Sequence, residues 1–168
     1  MTAQTRHYES TALVRAAATE LFDHVDDPMR LSAHMSEASW MMGGSRMSTE
    51  VDSGGGKVVG SHIRMGGRVL GVQLMLDEVV AERDPPRQKV WETVGQPQLL
   101  VIGPYRMGFE ITSRGNGSLL RVFIDYEMPK MAPARWLGRW FGPYYARWCT
   151  ERMTRDAARY FAAARHSH

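Results

Sequence analysis

The sequence predicts an α+β fold in which a curved antiparallel sheet of seven strands surrounds one long C-terminal helix, with two short helices after the first strand. Apolar residues recur at every second position in several consecutive segments, which is typical of strands that bury one face. Short turns rich in glycine or proline separate these segments, so consecutive strands are expected to pair in antiparallel fashion. Helical periodicity follows the first strand and returns only in the C-terminal part.

The N-terminal part predicts one strand and two helices. The strand covers His7 to Arg15, and residues 16–25 place their apolar side chains on one helical face. The sequence Asp26-Asp27-Pro28 ends that helix. A second short helix is predicted from Pro28 to Met35, because proline suits the first position of a helix.

Six more strands are predicted between the second helix and the C-terminal helix. Gly66-Gly67 is interpreted as a turn, and Gly103-Pro104 predicts a bulge or bend because proline cannot donate a hydrogen bond to a sheet. The segments are 46–52, 57–65, 68–83, 88–95, 99–113 and 118–128.

The C-terminal helix is predicted over residues 134–164. Gly138, Gly142 and Pro143 are expected to divide it into a short first part and a long main helix that begins near the proline. Apolar residues recur every three or four positions in the main helix and predict a buried stripe, formed by Tyr145, Cys149, Met153, Ala157, Phe161 and Ala164.

Three stretches carry a resemblance to a known superfamily. They are VRAAATELFDHVDDPMRLSAHM, GRVLGVQLMLDEVVAERDPPRQKVWETVG, and RVFIDYEMP followed by YYARWCTERM. Together with the order of elements over residues 8–163, they resemble the helix-grip fold of the START-like superfamily, also called SRPBCC. This superfamily includes birch-pollen-allergen-like and polyketide cyclase/dehydrase-like proteins. The resemblance implies an elongated apolar cavity between sheet and helix that holds lipids, polyketides or other hydrophobic ligands.

A sheet that curves around a single helix also leaves space that the helix side chains do not fill, so a pocket is expected on physical grounds. The sequence contains 12 methionines, and methionine suits adaptable pockets. The residues predicted to line the pocket are Met65, Met75, Trp91, Tyr105, Met107, Phe109, Tyr126, Trp148, Cys149 and Met153. Binding of a hydrophobic small molecule, as a carrier or sensor, is therefore the first hypothesis.

An enzyme of the polyketide cyclase or dehydratase type is the second hypothesis. A carboxyl group inside an apolar cavity has a raised pKa and can act as a general acid or base. The acid/base candidates are Glu92, His34 and Tyr126, and the other polar groups considered are His62, Asp77 and Arg106. The sequence contains no metal-binding or nucleophile motif, so neither a metal nor another cofactor is expected.

Segment 130–148 suggests a third hypothesis, because its tryptophans and tyrosines alternate with arginines. This pattern suits docking to a membrane surface or a protein. It also suits a segment that packs across the mouth of the cavity with its arginines pointing outward, and this second interpretation is the one favoured. No nucleic-acid-binding motif accompanies the basic residues, so nucleic acid is not an expected partner.

The 168 residues fit one domain, predicted here as residues 1–168. The single cysteine and the lack of a long apolar run suit a cytoplasmic protein. Basic residues are concentrated at the C-terminal end, where positions 130–168 hold 8 Lys and Arg against 2 Asp and Glu. The ratio of 18 arginines to 3 lysines suggests a bacterial source. Neither the ligand nor the oligomeric state follows from the sequence.

Overall fold

A computed structural model describes residues 4–33, 47–69, 71–130 and 132–166. Within these residues the chain forms seven strands and three helices. In chain order they are β1 Arg6–Val14, α1 Ala18–Val25, α2 Pro28–Leu31, β2 Met47–Val51, β3 His62–Val69, β4 Val72–Asp84, β5 Gln88–Thr93, β6 Tyr105–Arg114, β7 Gly117–Tyr126 and α3 Ala132–Arg165. The end of the predicted second helix, at His34 and Met35, lies outside the described residues.

The seven strands form one antiparallel sheet in the order β1-β7-β6-β5-β4-β3-β2. Neighbours in this order are consecutive in the chain, except that β1 pairs with β7. The long helix α3 packs mainly against β1 and β7. This architecture confirms the predicted α+β fold with seven strands, two short helices and a long C-terminal helix.

The main core lies between the sheet, α1 and α3, and it is built from the inward side chains of alternating strand residues. In β6 and β7 these are the predicted residues, since Met107, Phe109 and Ile124 are all buried. The ring of Phe22 on α1 meets Phe109 edge-on, with 5.6 Å between the ring centroids. Helix α1 is thereby held against the middle of the sheet.

A buried ionic group joins the end of α1 to strands β4 and β5. The ammonium group of Lys89 donates to the carboxylate of Asp26 at 2.9 Å and to its backbone carbonyl at 2.8 Å. The guanidinium of Arg83 donates to the same carboxylate at 2.8 Å. Burial raises the pKa of Asp26, but the hydrogen bonds from Arg83 and Lys89 outweigh it, so the pKa lies below its ordinary value. Asp26 is therefore a carboxylate that compensates a buried lysine.

One predicted turn lies at a different position. Gly66 and Gly67 lie inside β3, paired with Met75 and Leu74, and the chain reverses at Gly71, whose φ is +78°. The prediction of a turn at these glycines is therefore wrong. Glycine can occupy a strand when both neighbouring strands supply hydrogen bonds.

The bend expected at Gly103-Pro104 is confirmed, because the chain bends at Pro104 and β6 begins only after it, at Tyr105. The amide of Gly103 donates to the carbonyl of Glu127, and the amide of Glu127 donates to the carbonyl of Pro104. The register shift in this sheet lies between Val80 and Glu82 on β4.

Helix α3 is one continuous helix through Pro143, so the prediction of a short and a long part is wrong. Proline inside a helix removes one backbone hydrogen bond, and packing must compensate for it. Gly138 and Gly142 allow the helix to approach the carbonyl oxygen of Val101 so closely that a Cβ at either glycine would lie within 3.0 Å of it. These contacts hold the helix along the turn that immediately precedes Pro143.

Candidate functional site

The main cavity lies between the inner face of the sheet, the middle of α3 and the short helix α2. It comprises about 540 Å³ of space between atoms, part of it open to solvent, but only about 40 Å³ admits the centre of a water-sized sphere. The cavity is therefore narrow in this conformation. Its lining is mostly apolar and consists of Pro28, Leu31, Ser32, Ile63, Met65, Glu78, Lys89, Trp91, Ile102, Tyr105, Met107, Ile124, Tyr145, Cys149 and Met153.

Six of the ten side chains predicted to line the pocket border this cavity. They are Met65, Trp91, Tyr105, Met107, Cys149 and Met153. Three of the six are methionines, whose unbranched side chains change conformation easily and allow the cavity to widen around a ligand.

The other four predicted lining residues do not border the cavity. Met75 points outward and is 57% exposed, because inward residues on β4 have even numbers. Phe109 and Tyr126 point inward but are covered by core side chains. Trp148 is half-buried and packs beside Tyr145, with 5.9 Å between the ring centroids.

The same alternation explains why Glu78 was not among the site residues predicted from the sequence. Leu74, Leu76, Glu78 and Val80 share the inner face of β4, whereas Met75 and Asp77 lie on the outer face. Both faces of this strand carry apolar residues, so its sequence alone does not distinguish them. The sequence feature that indicates an inward position for Glu78 is the regular recurrence of Leu74, Leu76 and Val80 around it.

Glu78 and Tyr105 form a polar pair in the wall of the cavity. Glu78 is 2% exposed, and the phenol of Tyr105 donates a hydrogen bond to its carboxyl group. Burial raises the pKa of Glu78 to about 7, although hydrogen bonds with Tyr105 and Trp91 act in the opposite direction. Burial also raises the pKa of Tyr105, and the neighbouring carboxyl group adds to this effect. Near neutral pH, Glu78 therefore exchanges between acid and carboxylate while Tyr105 keeps its proton.

Glu92 and Tyr126, two of the acid/base candidates named from the sequence, do not border the cavity. Glu92 is half-exposed on the outer face of the sheet and pairs with Arg106 at 3.1 Å. Tyr126 is buried in the core, and burial raises the pKa of its phenol. His34 lies outside the described residues. Of the further polar candidates, His62 and Asp77 pair with each other on the outer face at 2.9 Å.

Lys89 and Cys149 are further reactive groups of the cavity wall. Burial lowers the pKa of Lys89, whereas its hydrogen bond and ion pair with Asp26 raise it. The thiol of Cys149 is buried, and burial raises its pKa to about 12. Cys149 is therefore a protonated thiol, which is a weak nucleophile.

A second pocket adjoins the first and comprises about 400 Å³ of space between atoms, part of it open to solvent. The two share Ile102 and Tyr145, so these side chains separate two chambers of one elongated hollow. The second chamber is lined by Met47, Val69, Leu74, Leu99, Leu100, Val101, Ile102 and Tyr145, all of which are apolar apart from the phenol group.

The aromatic residues at the start of α3 are largely exposed. The exposed fractions are 65% for Trp136, 62% for Trp140, 51% for Phe141 and 67% for Tyr144. The favoured interpretation, in which this segment packs across the cavity mouth, is wrong for these four side chains. Farther along the same segment, Tyr145 and Trp148 pack against the buried residues of the core.

No helix among the described residues is both long and apolar enough to span a bilayer. Within the same residues, no three or more His, Cys, Asp or Glu side chains gather as metal ligands would.

Residues 5–164 match the family model described as "Polyketide cyclase / dehydrase and lipid transport". The chain belongs to this family. Its members include hydrophobic-ligand-binding proteins, which agrees with the first hypothesis at that general level. The match covers nearly all of the described elements, from β1 to the end of α3. No curated protein sequence is similar enough to count as a relative.

Several solved structures share the fold with this family member. The crystal structure of Ara h 8.0201 is 13% identical with a TM-score of 0.67, over 95% of this chain and 99% of that chain. Norcoclaurine synthase from Thalictrum flavum is 16% identical with a TM-score of 0.65, over 94% and 87%. Major latex-like protein 151 from Panax ginseng is 14% identical with a TM-score of 0.57, over 94% and 97%. At these identities the likeness concerns the fold alone.

Proposed function

We propose that the protein binds a hydrophobic small molecule between the sheet and α3, as a carrier or sensor. The observation that carries this proposal is a mostly apolar cavity with one buried polar pair, Glu78 and Tyr105, in its wall. Ligand sites are typically apolar clefts in which a few polar groups orient the ligand. The ligand accordingly has an extended apolar body and one polar group that bonds to this pair.

The test is a titration with N-phenyl-1-naphthylamine, an uncharged apolar molecule whose fluorescence rises in apolar surroundings. We expect a saturable increase with one molecule bound per chain, because the elongated hollow is enclosed by a single helix and sheet. Native mass spectrometry of the freshly purified protein should also reveal a co-purified hydrophobic molecule. A fluorescence increase that does not saturate, together with a protein free of adducts, would contradict the proposal.

Cys149 provides an independent measure of occupancy, because it is the only cysteine and it borders the cavity. Its pKa of about 12, against an ordinary value of 9.0, lowers the thiolate fraction about a thousandfold near pH 8. We expect alkylation by iodoacetamide, followed by mass spectrometry, to be slower by about that factor than for free cysteine. Saturating N-phenyl-1-naphthylamine should slow it further.

The matched control places the only cysteine on the outer face of the sheet, in the double variant Met75→Cys/Cys149→Ala. Met75 is exposed and does not border the cavity. Its replacement should react like free cysteine whether or not the fluorescent molecule is bound. If Cys149 itself reacts at that rate, or is unaffected by the bound molecule, it does not report on an enclosed site.

A second candidate function is acid/base catalysis of the cyclase or dehydratase type, and the pKa of Glu78 favours it. A general base works best when its pKa lies near the working pH, and Glu78 has a pKa of about 7. In this candidate the Glu78 carboxylate removes a proton beside a carbonyl group of the substrate and later returns it to another atom. Tyr105 keeps the carboxyl group oriented through its hydrogen bond.

Deuterium exchange beside the carbonyl group of 2-tetralone, followed by NMR in heavy water, tests this candidate. We expect the wild-type protein to accelerate the exchange and Glu78→Gln to lose about a hundredfold or more of the acceleration, as is usual for a general base. The rate should rise with pH through about 7, since the carboxylate is the active form.

Glu92→Gln is the matched control for the exchange experiment, because Glu92 pairs with Arg106 outside the cavity. It should leave the exchange rate unchanged. If wild-type protein does not exceed the buffer rate, or if both glutamine variants behave alike, Glu78 is not a base toward such ketones.

A further inference from the structure

Four large aromatic side chains form an exposed stripe along the first half of α3. The stripe consists of Trp136, Trp140, Phe141 and Tyr144, each at least half exposed. Trp136, Trp140 and Tyr144 are spaced by four residues and therefore follow one face of the helix. Soluble proteins rarely expose such a continuous set of large apolar groups unless the surface binds something.

The opposite side of the same helix is fixed to the protein. A Cβ on Gly138 would lie 2.7 Å from the ring of Pro129 and 2.8 Å from the carbonyl oxygen of Val101. Gly142 approaches that same oxygen. Because this side is in close contact with the body of the protein, the aromatic stripe is held outward and the helix cannot turn to bury it.

The charged residues of the segment that carries the aromatic stripe are all positive. Residues 130–148 contain no aspartate or glutamate, and of the exposed cations Arg135 immediately precedes the stripe and Arg139 lies within it. The second half of α3 differs, since Arg152 pairs with Asp156 at 3.4 Å and Arg155 approaches Glu151 at 4.0 Å. Paired charges of that kind are typical of a helix face that remains in water.

We propose that the aromatic stripe docks the protein onto an anionic lipid bilayer, with α3 lying along the surface. Tryptophan and tyrosine favour the headgroup region of a bilayer, and nearby arginines bind anionic headgroups. A cationic and aromatic surface without carboxylates is complementary to such a bilayer. The docking rests on this surface alone and does not depend on the proposed ligand binding.

Docking has a consequence that does rest on the proposed function. Tyr145, adjacent to the aromatic stripe in sequence, borders both chambers of the internal hollow. A bilayer that contacts the stripe therefore lies one helix thickness from the hollow. A hydrophobic ligand would then have a short path between membrane and protein.

The experiment is flotation of the full chain with vesicles of phosphatidylcholine, with or without phosphatidylglycerol. We expect flotation only with phosphatidylglycerol, and a loss of binding at high salt because ions screen surface charges. The double variants Trp136→Ala/Trp140→Ala and Arg135→Glu/Arg139→Glu should each lower the partition by about tenfold or more. All four side chains are exposed, so the fold should be unaffected.

Two variants serve as controls. Arg155→Glu/Arg159→Glu makes the same charge change on the second half of α3, and Leu13→Ala/Met75→Ala removes exposed apolar groups from the sheet. Both should float like the wild-type protein. The proposal is overturned if the wild-type protein does not float, if the tryptophan variant floats equally well, or if the stripe instead mediates a dimer that the tryptophan variant dissociates. Titration with N-phenyl-1-naphthylamine in solution separates a failure of docking from a failure of ligand binding.

Discussion

Glu78→Gln is expected to stabilise the protein relative to the wild type as the pH rises, although it changes a buried residue that accepts a hydrogen bond. The pKa of Glu78 is about 7 in the folded protein and near its ordinary value of 4.5 in the unfolded chain. Below pH 4.5 both states carry the proton, so ionisation of this carboxyl group does not lower the free energy of unfolding. Between these two values the unfolded state alone releases its proton, so the stability of the wild type falls as the pH rises.

Above about pH 7 both states are ionised and the penalty is complete. A shift of this size corresponds to about 3 kcal/mol in the free energy of unfolding. The glutamine variant does not titrate at this position, so its stability relative to the wild type should increase by about that amount from acid to alkaline pH. The measurement is urea unfolding of both proteins across this range.

Glu92→Gln is the control for this pH dependence. Its carboxylate is half-exposed and pairs with Arg106 on the outer face of the sheet. Its exposed ion pair should contribute less than about 1 kcal/mol, so this variant should stay close to the wild type in the same measurements. A difference between Glu78→Gln and the wild type that does not change with pH would mean that the Glu78 carboxyl group ionises in the folded protein as it does in the unfolded chain.

Asp26→Asn is expected to lower the free energy of unfolding by about 3 to 5 kcal/mol, which is the usual cost of breaking a buried ion pair. Asp26 compensates the almost fully buried Lys89 and also pairs with Arg83. The amide cannot balance the ammonium charge, so Lys89 must lose its proton or move. A displaced Lys89 side chain can move toward the cavity, because it already forms part of the cavity wall.

The double variant Asp26→Asn/Lys89→Met should recover part of this loss, because no buried cation then lacks a partner. Asp84→Asn is the control, since its ion pair with Arg87 lies on the surface and should contribute less than about 1 kcal/mol. Urea unfolding of the four proteins gives the comparison. Equal losses for Asp26→Asn and Asp84→Asn would show that the buried group does not hold α1 to the sheet.

The strands with strict alternation could be predicted residue by residue. In β6 polar and apolar side chains alternate, so the burial of Met107 and Phe109 followed from period two alone. Strand β4 carries apolar residues on both faces, and a shift of one position exchanges the faces. Met75 was therefore assigned to the pocket and Asp77 was considered for it, whereas Leu76 and Glu78 occupy the inner side.

The sequence by itself determined the class of the protein, because the order of strands, turns and helices is encoded in local periodicity. The continuity of α3 was decided by tertiary contacts. The need for Gly138 and Gly142 becomes clear only where the helix packs closely against Val101 and Pro129. The candidate site was decided in the same way. Glu78 and Tyr105 are 27 positions apart, and a raised pKa arises only when folding removes the carboxyl group from water. Local patterns encode which face is apolar, whereas burial of a particular polar group depends on distant residues that meet only in the folded chain.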